Sequence, residues 1–394
     1  MDISTANLKI IDNQFIVKKR LGKGYTAKVM LGEHTTTKTP VALKIYVPKN
    51  GQTLSMKEFK TEMESMQKIK SSNVISILAA NNKGVYERPG KKSKQIVYIG
   101  MEVAENAELF DFIAEPGLGF SEKIARFYFI QLISGLKSIH DEKFAHRDLK
   151  TENIFLDKNF NLKIGDFGFA KYIENGKSDK LKTILGTVGY QCPELLENKG
   201  YNGSANDIFA CGVILFIIAN AYPPFKEAKL KDPWYKNIYN GEHKKFWEIH
   251  HKRLSVKTES LKTLLSGMLA KNSRFSLDDV IKSDWFNGEL PSKEELLNDL
   301  GSRKKIVDAK RKKQCEEKLK IKSKGTDNKV YRGEGDVADI EKITELFNNI
   351  DFTNNKIKNF DDFDLGGNFS VLNFIGDCDN NMSLGKFLNR FLLI

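Results

Sequence analysis

Short apolar runs bounded by glycine, proline or polar clusters recur through the first hundred residues, a pattern typical of β-strands. The runs occupy residues 15–21, 29–33, 41–47 and 95–103. Between the last two, apolar residues from Met56 to Ile69 recur at steps of three and four, and Ser55 with Glu58 forms a capping-box pattern before them. This spacing predicts one amphipathic helix inside a strand-rich segment.

Helical spacing dominates from residue 121 onward. The predicted helices cover residues 121–140, 210–219, 260–269 and 277–281. Because the regular pattern stops near residue 286, the sequence predicts one α+β domain over residues 15–286, with a small β lobe followed by a larger helical lobe.

The pattern after this domain predicts a charged basic linker over residues 287–328. Residues 303–324 hold eleven lysines or arginines against three acids. A solvated linker is the simplest interpretation, and the alternatives are a nuclear-import element, an acidic-surface contact or an autoinhibitory segment. Residues 329–394 regain apolar spacing, which predicts a small α+β regulatory or docking module.

Composition and charge restrict the class of protein. A chain with 40% hydrophobic and 29% charged residues can bury a core. Despite a net charge of +12, it has no zinc-finger spacing or recognition-helix signature, so we do not expect nucleic-acid binding. The longest uncharged apolar run, residues 210–219, is about half a membrane span. The four cysteines form no C-x-x-C pair. We expect an intracellular, cytoplasmic protein, with nuclear import through residues 304–313 as the alternative.

Two features of the first lobe fit phosphate binding. Residues 21–29 read Leu-Gly-Lys-Gly-Tyr-Thr-Ala-Lys-Val between two predicted strands. Gly22 and Gly24 therefore lie in a hairpin loop where backbone can approach a phosphate, although a plain turn is the alternative. Lys44 ends an apolar strand and needs an anion. Glu62 on the predicted helix is available to pair with it, and a surface salt bridge is the alternative.

A motif in the second lobe combines the groups that phosphoryl transfer needs. Residues 146–153 read His-Arg-Asp-Leu-Lys-Thr-Glu-Asn, and Asp-Phe-Gly follows at 166–168. Transfer from ATP requires a carboxylate to orient the attacking hydroxyl, a cation near the phosphate and oxygen ligands for Mg²⁺. Over residues 15–286 the chain resembles the eukaryotic protein kinase family, and most of all serine/threonine kinases of the calcium/calmodulin-dependent group. The resemblance implies a two-lobed protein kinase fold and ATP- and Mg²⁺-dependent transfer to protein substrates.

The same resemblance implies roles for individual residues. Asp148 would be the catalytic base, Lys150 the cation beside the γ-phosphate, and Asn153 and Asp166 the Mg²⁺ ligands. Lys44, paired with Glu62, would hold the α- and β-phosphates. The remaining residues of the implied ATP site are Leu21, Gly22, Lys23, Gly24, Val29, Ala42, Met101, Glu102, Ala104 and Phe155.

Substrate preference and regulation are partly predicted. Lys150 and the Gly-Thr-Val-Gly-Tyr segment at 186–190 resemble serine/threonine kinases rather than tyrosine kinases. Glu108 and Glu152 favour a substrate with a basic residue upstream of the acceptor. Thr183 lies in a lysine-flanked loop and is the candidate for activating phosphorylation by an upstream kinase, the alternative being an unmodified threonine.

Two further hypotheses stay open at this point. The first is a pseudokinase or scaffold that binds nucleotide without transfer, against which the intact Lys44, Glu62, Asp148, Asn153 and Asp166 argue. The second concerns the module at 329–394, which faintly resembles a kinase-associated C-terminal domain. That resemblance implies an autoinhibitory contact with the catalytic domain or contact with anionic lipid.

Overall fold

The computed structural model describes residues 8–24, 26–47, 56–174, 181–183, 185–198, 200–324, 350–351 and 356–357. The chain divides into two units, the first running to Val307 and the second beginning at Asp308. The first unit contains every residue discussed as a candidate site.

The small lobe of the first unit is a closed antiparallel barrel. Its strands are β1 (Ile10–Ile11), β2 (Phe15–Lys23), β3 (Ala27–His34), β4 (Pro40–Tyr46), β5 (Ile77–Arg88) and β6 (Lys91–Met101), and helix α1 (Met56–Lys68) lies between β4 and β5 in the chain. The strand order is β1-β2-β3-β4-β6-β5. Apolar side chains such as Phe15, Val41 and Leu43 fill the barrel. The four predicted strands and the predicted helix are present, whereas Ser55, the predicted cap, lies outside the described residues.

The large lobe is mostly helical, as predicted. Its short strands are β7 (Ala107–Glu108), β8 (Phe144–Ala145), β9 (Ile154–Leu156), β10 (Leu162–Ile164) and β11 (Lys171–Tyr172). Its helices are α2 (Asp111–Ala114), α3 (Glu122–Asp141), α4 (Pro193–Leu196), α5 (Gly203–Asn220), α6 (Tyr235–Tyr239), α7 (His243–His250), α8 (Glu259–Leu269) and α9 (Leu277–Lys282). Ser121 caps α3 and Asn202 caps α5 through their side-chain oxygens.

Helix α5 is the centre of the large lobe. It is apolar around its whole circumference, and nearly all of its residues are buried. By length and composition alone it could cross a membrane, but 89% of it is enclosed by the rest of the lobe. Such a helix is the core of a globular domain. Asp207 is buried within it and serves the site described below.

A long helix, α10 (Lys293–Lys324), occupies most of the range predicted as a linker. Leu300, Arg303 and Val307 are buried in the first unit. The expectation of a solvated linker is therefore wrong for the first half of this helix, which packs on the large lobe. In the second unit the structure describes the rest of α10 and a short strand pair, β12 (Ile350–Asp351) with β13 (Lys356–Ile357). Apart from this pair, the predicted module at 329–394 lies outside the described residues.

Candidate active site

The glycine loop joins β2 and β3 with open space beside its backbone. The Gly24 N–H donates to the Ala27 carbonyl at 2.9 Å, and Gly22 pairs with Val29 across the hairpin. A Cβ added at Gly22 would meet no atom within 4 Å, and one added at Gly24 would meet only the Ala27 oxygen at 3.7 Å. The loop can therefore approach a phosphate without obstruction. The other predicted residues of this segment, both exposed, are Leu21 and Lys23.

Three charged side chains meet between the lobes of the first unit. Lys44 Nζ lies 2.6 Å and 2.8 Å from the two carboxylate oxygens of Glu62 and 2.8 Å from Oδ1 of Asp166. Glu62 is fully buried, whereas Lys44 is only slightly exposed. Glu62 also accepts a short hydrogen bond from the hydroxyl of Tyr46. The surface salt bridge considered from sequence is thus excluded for Lys44 and Glu62.

The protonation of this cluster follows from burial and proximity. Burial opposes the charge of Lys44, but the carboxylates of Asp166 and Glu62 outweigh it and raise the pKa of the ammonium. The ammonium of Lys44 in turn lowers the pKa of Asp166 to about 2. Burial raises the pKa of Glu62, and Lys44 and Tyr46 oppose that rise. Lys44 is a cation and Asp166 an anion at neutral pH, as phosphate and metal binding require.

A second cluster surrounds Asp148 in the loop after β8. The backbone N–H and hydroxyl of Thr187 donate to Oδ1 of Asp148 at 3.1 Å and 3.3 Å. Lys150 Nζ lies 3.3 Å from Oδ2 of Asp148 and donates to Oγ1 of Thr187 at 3.0 Å. Asn153 Nδ2 donates to the carbonyl of Asp148 at 2.8 Å. The structure thus brings the three predicted catalytic residues together, with the carboxylate held at a fixed orientation.

Asp207 of α5 anchors the loop that carries these groups. Its two carboxylate oxygens accept the backbone N–H groups of His146 and Arg147, both at 2.8 Å. The ring of His146 packs edge-on against Phe167, with 5.0 Å between centroids. Arg147 has a left-handed backbone with φ of 68°, a strained state for a non-glycine residue that these bonds stabilise.

Two oxygen donors fit a magnesium ion at the edge of the cluster. The amide nitrogen of Asn153 is engaged by Asp148, so the amide oxygen of Asn153 is the atom left to bind a cation. The carboxylate of Asp166 is ionised and about half exposed. Among the described residues there is no group of three His, Cys, Asp or Glu side chains suited to a metal. Phosphate and water oxygens would therefore complete the coordination of Mg²⁺.

The residues predicted to hold an adenine ring come from both lobes. Val29 and Ala42 lie on β3 and β4, and Ala42 pairs with Met101 of β6. Phe155 lies on β9 of the large lobe, and a Cβ at Gly165 would come within 2.9 Å of its ring. The predicted adenine site therefore combines β3 and β4 of the small lobe with β9 of the large lobe.

The segment after β6, which connects the two lobes, is restrained by an ion pair that the sequence did not reveal. The carboxylate of Glu102 lies 2.9 Å and 3.1 Å from Lys163 Nζ and accepts the backbone N–H of Ser76 at 2.7 Å. The Glu102 N–H donates to the carbonyl of Ser76 at 3.0 Å. Ala104, two residues on, is partly buried.

Residues predicted to act on the substrate side lie in the large lobe. Glu108 pairs with Phe155 through β7 and β9, and Glu152 follows Lys150 on a short 3₁₀ turn. Thr183 is exposed, and its carbonyl accepts a hydrogen bond from Tyr201 at 3.2 Å.

Comparisons with known proteins agree with the geometry of this site. The family described as "Protein kinase domain" matches residues 15–286. The chain is 35% identical over 289 residues to CBL-interacting protein kinase 32 of Oryza sativa subsp. japonica, which covers 72% of this chain and 61% of that protein. It is 34% identical over 285 residues to CBL-interacting serine/threonine-protein kinase 12 of Arabidopsis thaliana, covering 70% of this chain and 53% of that protein. The chain thus spans between about half and three fifths of the length of these relatives. It belongs to the protein kinase family.

Proposed function

We propose that the chain is an ATP-dependent protein serine/threonine kinase that transfers the γ-phosphate of ATP to protein hydroxyl groups. The Gly165 N–H, next to Asp166 in the chain, donates to the carbonyl of Asn153 at 2.9 Å. This bond places two clusters side by side, Asp148 with Lys150 and Asn153, and Asp166 with Lys44 and Glu62, and their juxtaposition is the observation that carries the proposal. The first is a base with a neighbouring cation, and the second binds phosphate and metal.

The transfer requires little covalent chemistry from the protein. A serine or threonine hydroxyl attacks the γ-phosphorus, the bond to the bridging β,γ-oxygen breaks, ADP leaves, and Asp148 accepts the hydroxyl proton. Thr187 holds Oδ1 of Asp148, which fixes the carboxylate relative to the incoming hydroxyl. Lys150, beside Oδ2, stabilises negative charge on the transferring group.

ATP and Mg²⁺ are the implied co-substrate and cofactor. Lys44 would neutralise the α- and β-phosphates while Glu62 keeps its ammonium in place. Asn153 and Asp166 would hold Mg²⁺, which neutralises the phosphate oxygens when bound. Asp166 is suited to this because Lys44 keeps it ionised.

The test is phosphate transfer from labelled ATP with Mg²⁺ to an Arg-x-x-Ser peptide. We expect Asp148→Asn to lower kcat by about 10³-fold or more, because a positioned base and its charge are lost. Asp141→Asn is the matched control, since Asp141 is an exposed partner of Lys137. Full activity in Asp148→Asn would show that Asp148 is not the catalytic base, whereas no transfer by a parent chain that binds ATP would favour the pseudokinase alternative.

A basic residue upstream of the acceptor and activation at Thr183 are finer parts of the proposal. The carboxylates of Glu108 and Glu152 would suit an arginine of the substrate. A phosphate on Thr183 would add about two negative charges near the catalytic loop. Replacing the peptide arginine by alanine tests the first part. Treating the parent and Thr183→Ala with an upstream kinase tests the second, and equal activity of the two would rule it out.

For the whole protein we propose only the class of partner and the location. Two relatives are named for an interaction with CBL, and we propose a regulatory protein or anionic-lipid contact for the tail of this chain as well. We also propose an intracellular, cytoplasmic location. Co-purification of the full chain with candidate partners, and fractionation of cells that express it, test these two points.

A further inference from the structure

Tyr46 contacts the buried carboxylate of the site although no motif includes it. It follows Lys44 by two positions on β4, so both side chains lie on the same face of the strand. Its ring is buried, with 4% exposure, and its hydroxyl donates to Oε2 of Glu62. Among the side chains that the structure describes, Lys44 and Tyr46 donate to Glu62, and both come from β4.

The ring of Tyr46 reaches helix α1 at a second point. It packs edge-on against Phe59, with 5.6 Å between centroids and 89° between planes. Phe59 precedes Glu62 by three residues, so the two are neighbours on one face of the helix. Tyr46 thus holds α1 by an apolar contact and a hydrogen bond that lie one turn apart.

The hydrogen bond from Tyr46 matters because the ammonium of Lys44 has more than one partner. The ammonium of Lys44 is shared between Glu62 and Asp166, and the phosphates of ATP would draw on the same charge. A buried carboxylate that loses part of its pairing is costly, because an unsatisfied charge is penalised far more than a neutral group. The hydroxyl of Tyr46 gives Glu62 a donor that does not move toward the nucleotide.

We propose that Tyr46 is a positioning residue that acts through Glu62 to hold α1 against β4 and so keeps Lys44 aligned for the phosphates. The inference rests on the proposed kinase activity. It also predicts that the hydroxyl matters for use of ATP and not merely for folding.

The barrel contains a matched control for this proposal. Tyr98 on β6 is also buried, with 2% exposure, and its hydroxyl donates to a carboxylate, Oδ2 of Asp12, at 2.8 Å. Tyr46→Phe and Tyr98→Phe therefore delete the same kind of hydrogen bond in the same lobe. Only the first bond involves a residue of the site.

The experiment compares the parent chain, these two variants, Glu62→Gln, and Tyr46→Phe combined with Glu62→Gln. Each is assayed for kcat, the KM for ATP, Mg²⁺·ADP affinity by calorimetry, and thermal unfolding. We expect Tyr46→Phe to lower kcat/KM for ATP about 10-fold, as the loss of one hydrogen bond to a charged group would, while Tyr98→Phe keeps the parent value. In the Glu62→Gln background, Tyr46→Phe should change kcat/KM less than about 2-fold, since a neutral side chain at position 62 no longer forms the ion pair that aligns Lys44.

Three outcomes would overturn the inference while the parent remains an active kinase. They are parental kcat/KM in Tyr46→Phe, an equal loss in Tyr98→Phe, and an undiminished effect of Tyr46→Phe in the Glu62→Gln background. A parent chain that transfers no phosphate contradicts the proposed function itself. In that case, weaker Mg²⁺·ADP binding by Tyr46→Phe but not by Tyr98→Phe still supports the positioning role.

Discussion

His250 is a buried histidine whose surroundings make folding stability depend on pH. It is 2% exposed on α7, and the rings of Phe216, Tyr222 and Phe246 pack around it. Burial lowers its pKa to about 4 from an ordinary value of 6.5. The folded state therefore keeps this ring neutral at pH values where the unfolded chain protonates it.

The sign of the effect follows from proton linkage. Between pH 6.5 and pH 4 the unfolded state binds more protons at this position, so the free energy of unfolding falls as the pH falls. The expected loss from pH 7.5 to pH 5 is about 2 kcal/mol. His250→Gln should remove about this part of the pH dependence in urea unfolding. His251→Gln, at an exposed neighbouring position, should leave it in place, and equal pH profiles of the two variants would contradict the prediction.

The first half of α10 is fixed to the large lobe through Arg303. Its guanidinium donates to the carbonyls of Phe112, Leu118 and Gly119 at 2.9 Å, 2.6 Å and 2.9 Å, and its central carbon lies 4.4 Å from the ring centroid of Phe120. These carbonyls belong to the end of α2 and the loop that precedes α3. The helix thus completes the hydrogen bonding of that loop.

Removing the guanidinium would leave several buried carbonyls without a donor. We expect Arg303→Met to lower the free energy of unfolding by about 3 kcal/mol, and Arg303→Lys to recover only part of it because an ammonium cannot reproduce the fork of donors. Lys305→Met, at an exposed position of the same helix, is the control and should change stability by less than about 0.5 kcal/mol. A loss in Arg303→Met no larger than in the control would show that the contacts are not stabilising.

The elements that could be predicted from sequence are those whose signal is local. The apolar runs of β2, β3, β4 and β6 stand out, and the catalytic segment is a short motif. Strand β5 was missed because its middle is polar and its pairing with β6 has register shifts. Helix α10 was missed because its exposed lysines hide the buried stripe of Leu300, Arg303 and Val307.

The candidate site likewise divides into residues that are close in sequence, which could be predicted, and residues that only the fold brings together. Asp148, Lys150 and Asn153 lie within six residues of one another, so their spacing could be read directly. Tyr46 and Glu62 are 16 residues apart, and Glu102 and Lys163 are 61 apart. Strand alternation would place Tyr46 on the same face as Lys44, but only the fold shows that α1 lies against that face.

At the scale of the whole molecule, the first unit extends past the end of the predicted catalytic domain. Leu300, Arg303 and Val307 are as buried as residues of the lobe itself. A chain cut after residue 292 loses these contacts, whereas one cut after residue 324 keeps all of α10. Two truncated chains therefore separate the contribution of the helix from that of the tail.

We expect the chain 1–292 to unfold about 10 °C below the chain 1–324, since lost apolar burial and orphaned carbonyls together cost about 5 kcal/mol. Differential scanning calorimetry at one pH and salt concentration measures the difference. Equal melting temperatures would mean that α10 packs on the lobe without stabilising it. Because 1–324 retains these contacts, a change in its phosphate transfer relative to the full chain is attributable to residues 325–394. Faster transfer by 1–324 would identify that tail as inhibitory, and this attribution could not be made with a chain cut before Arg303.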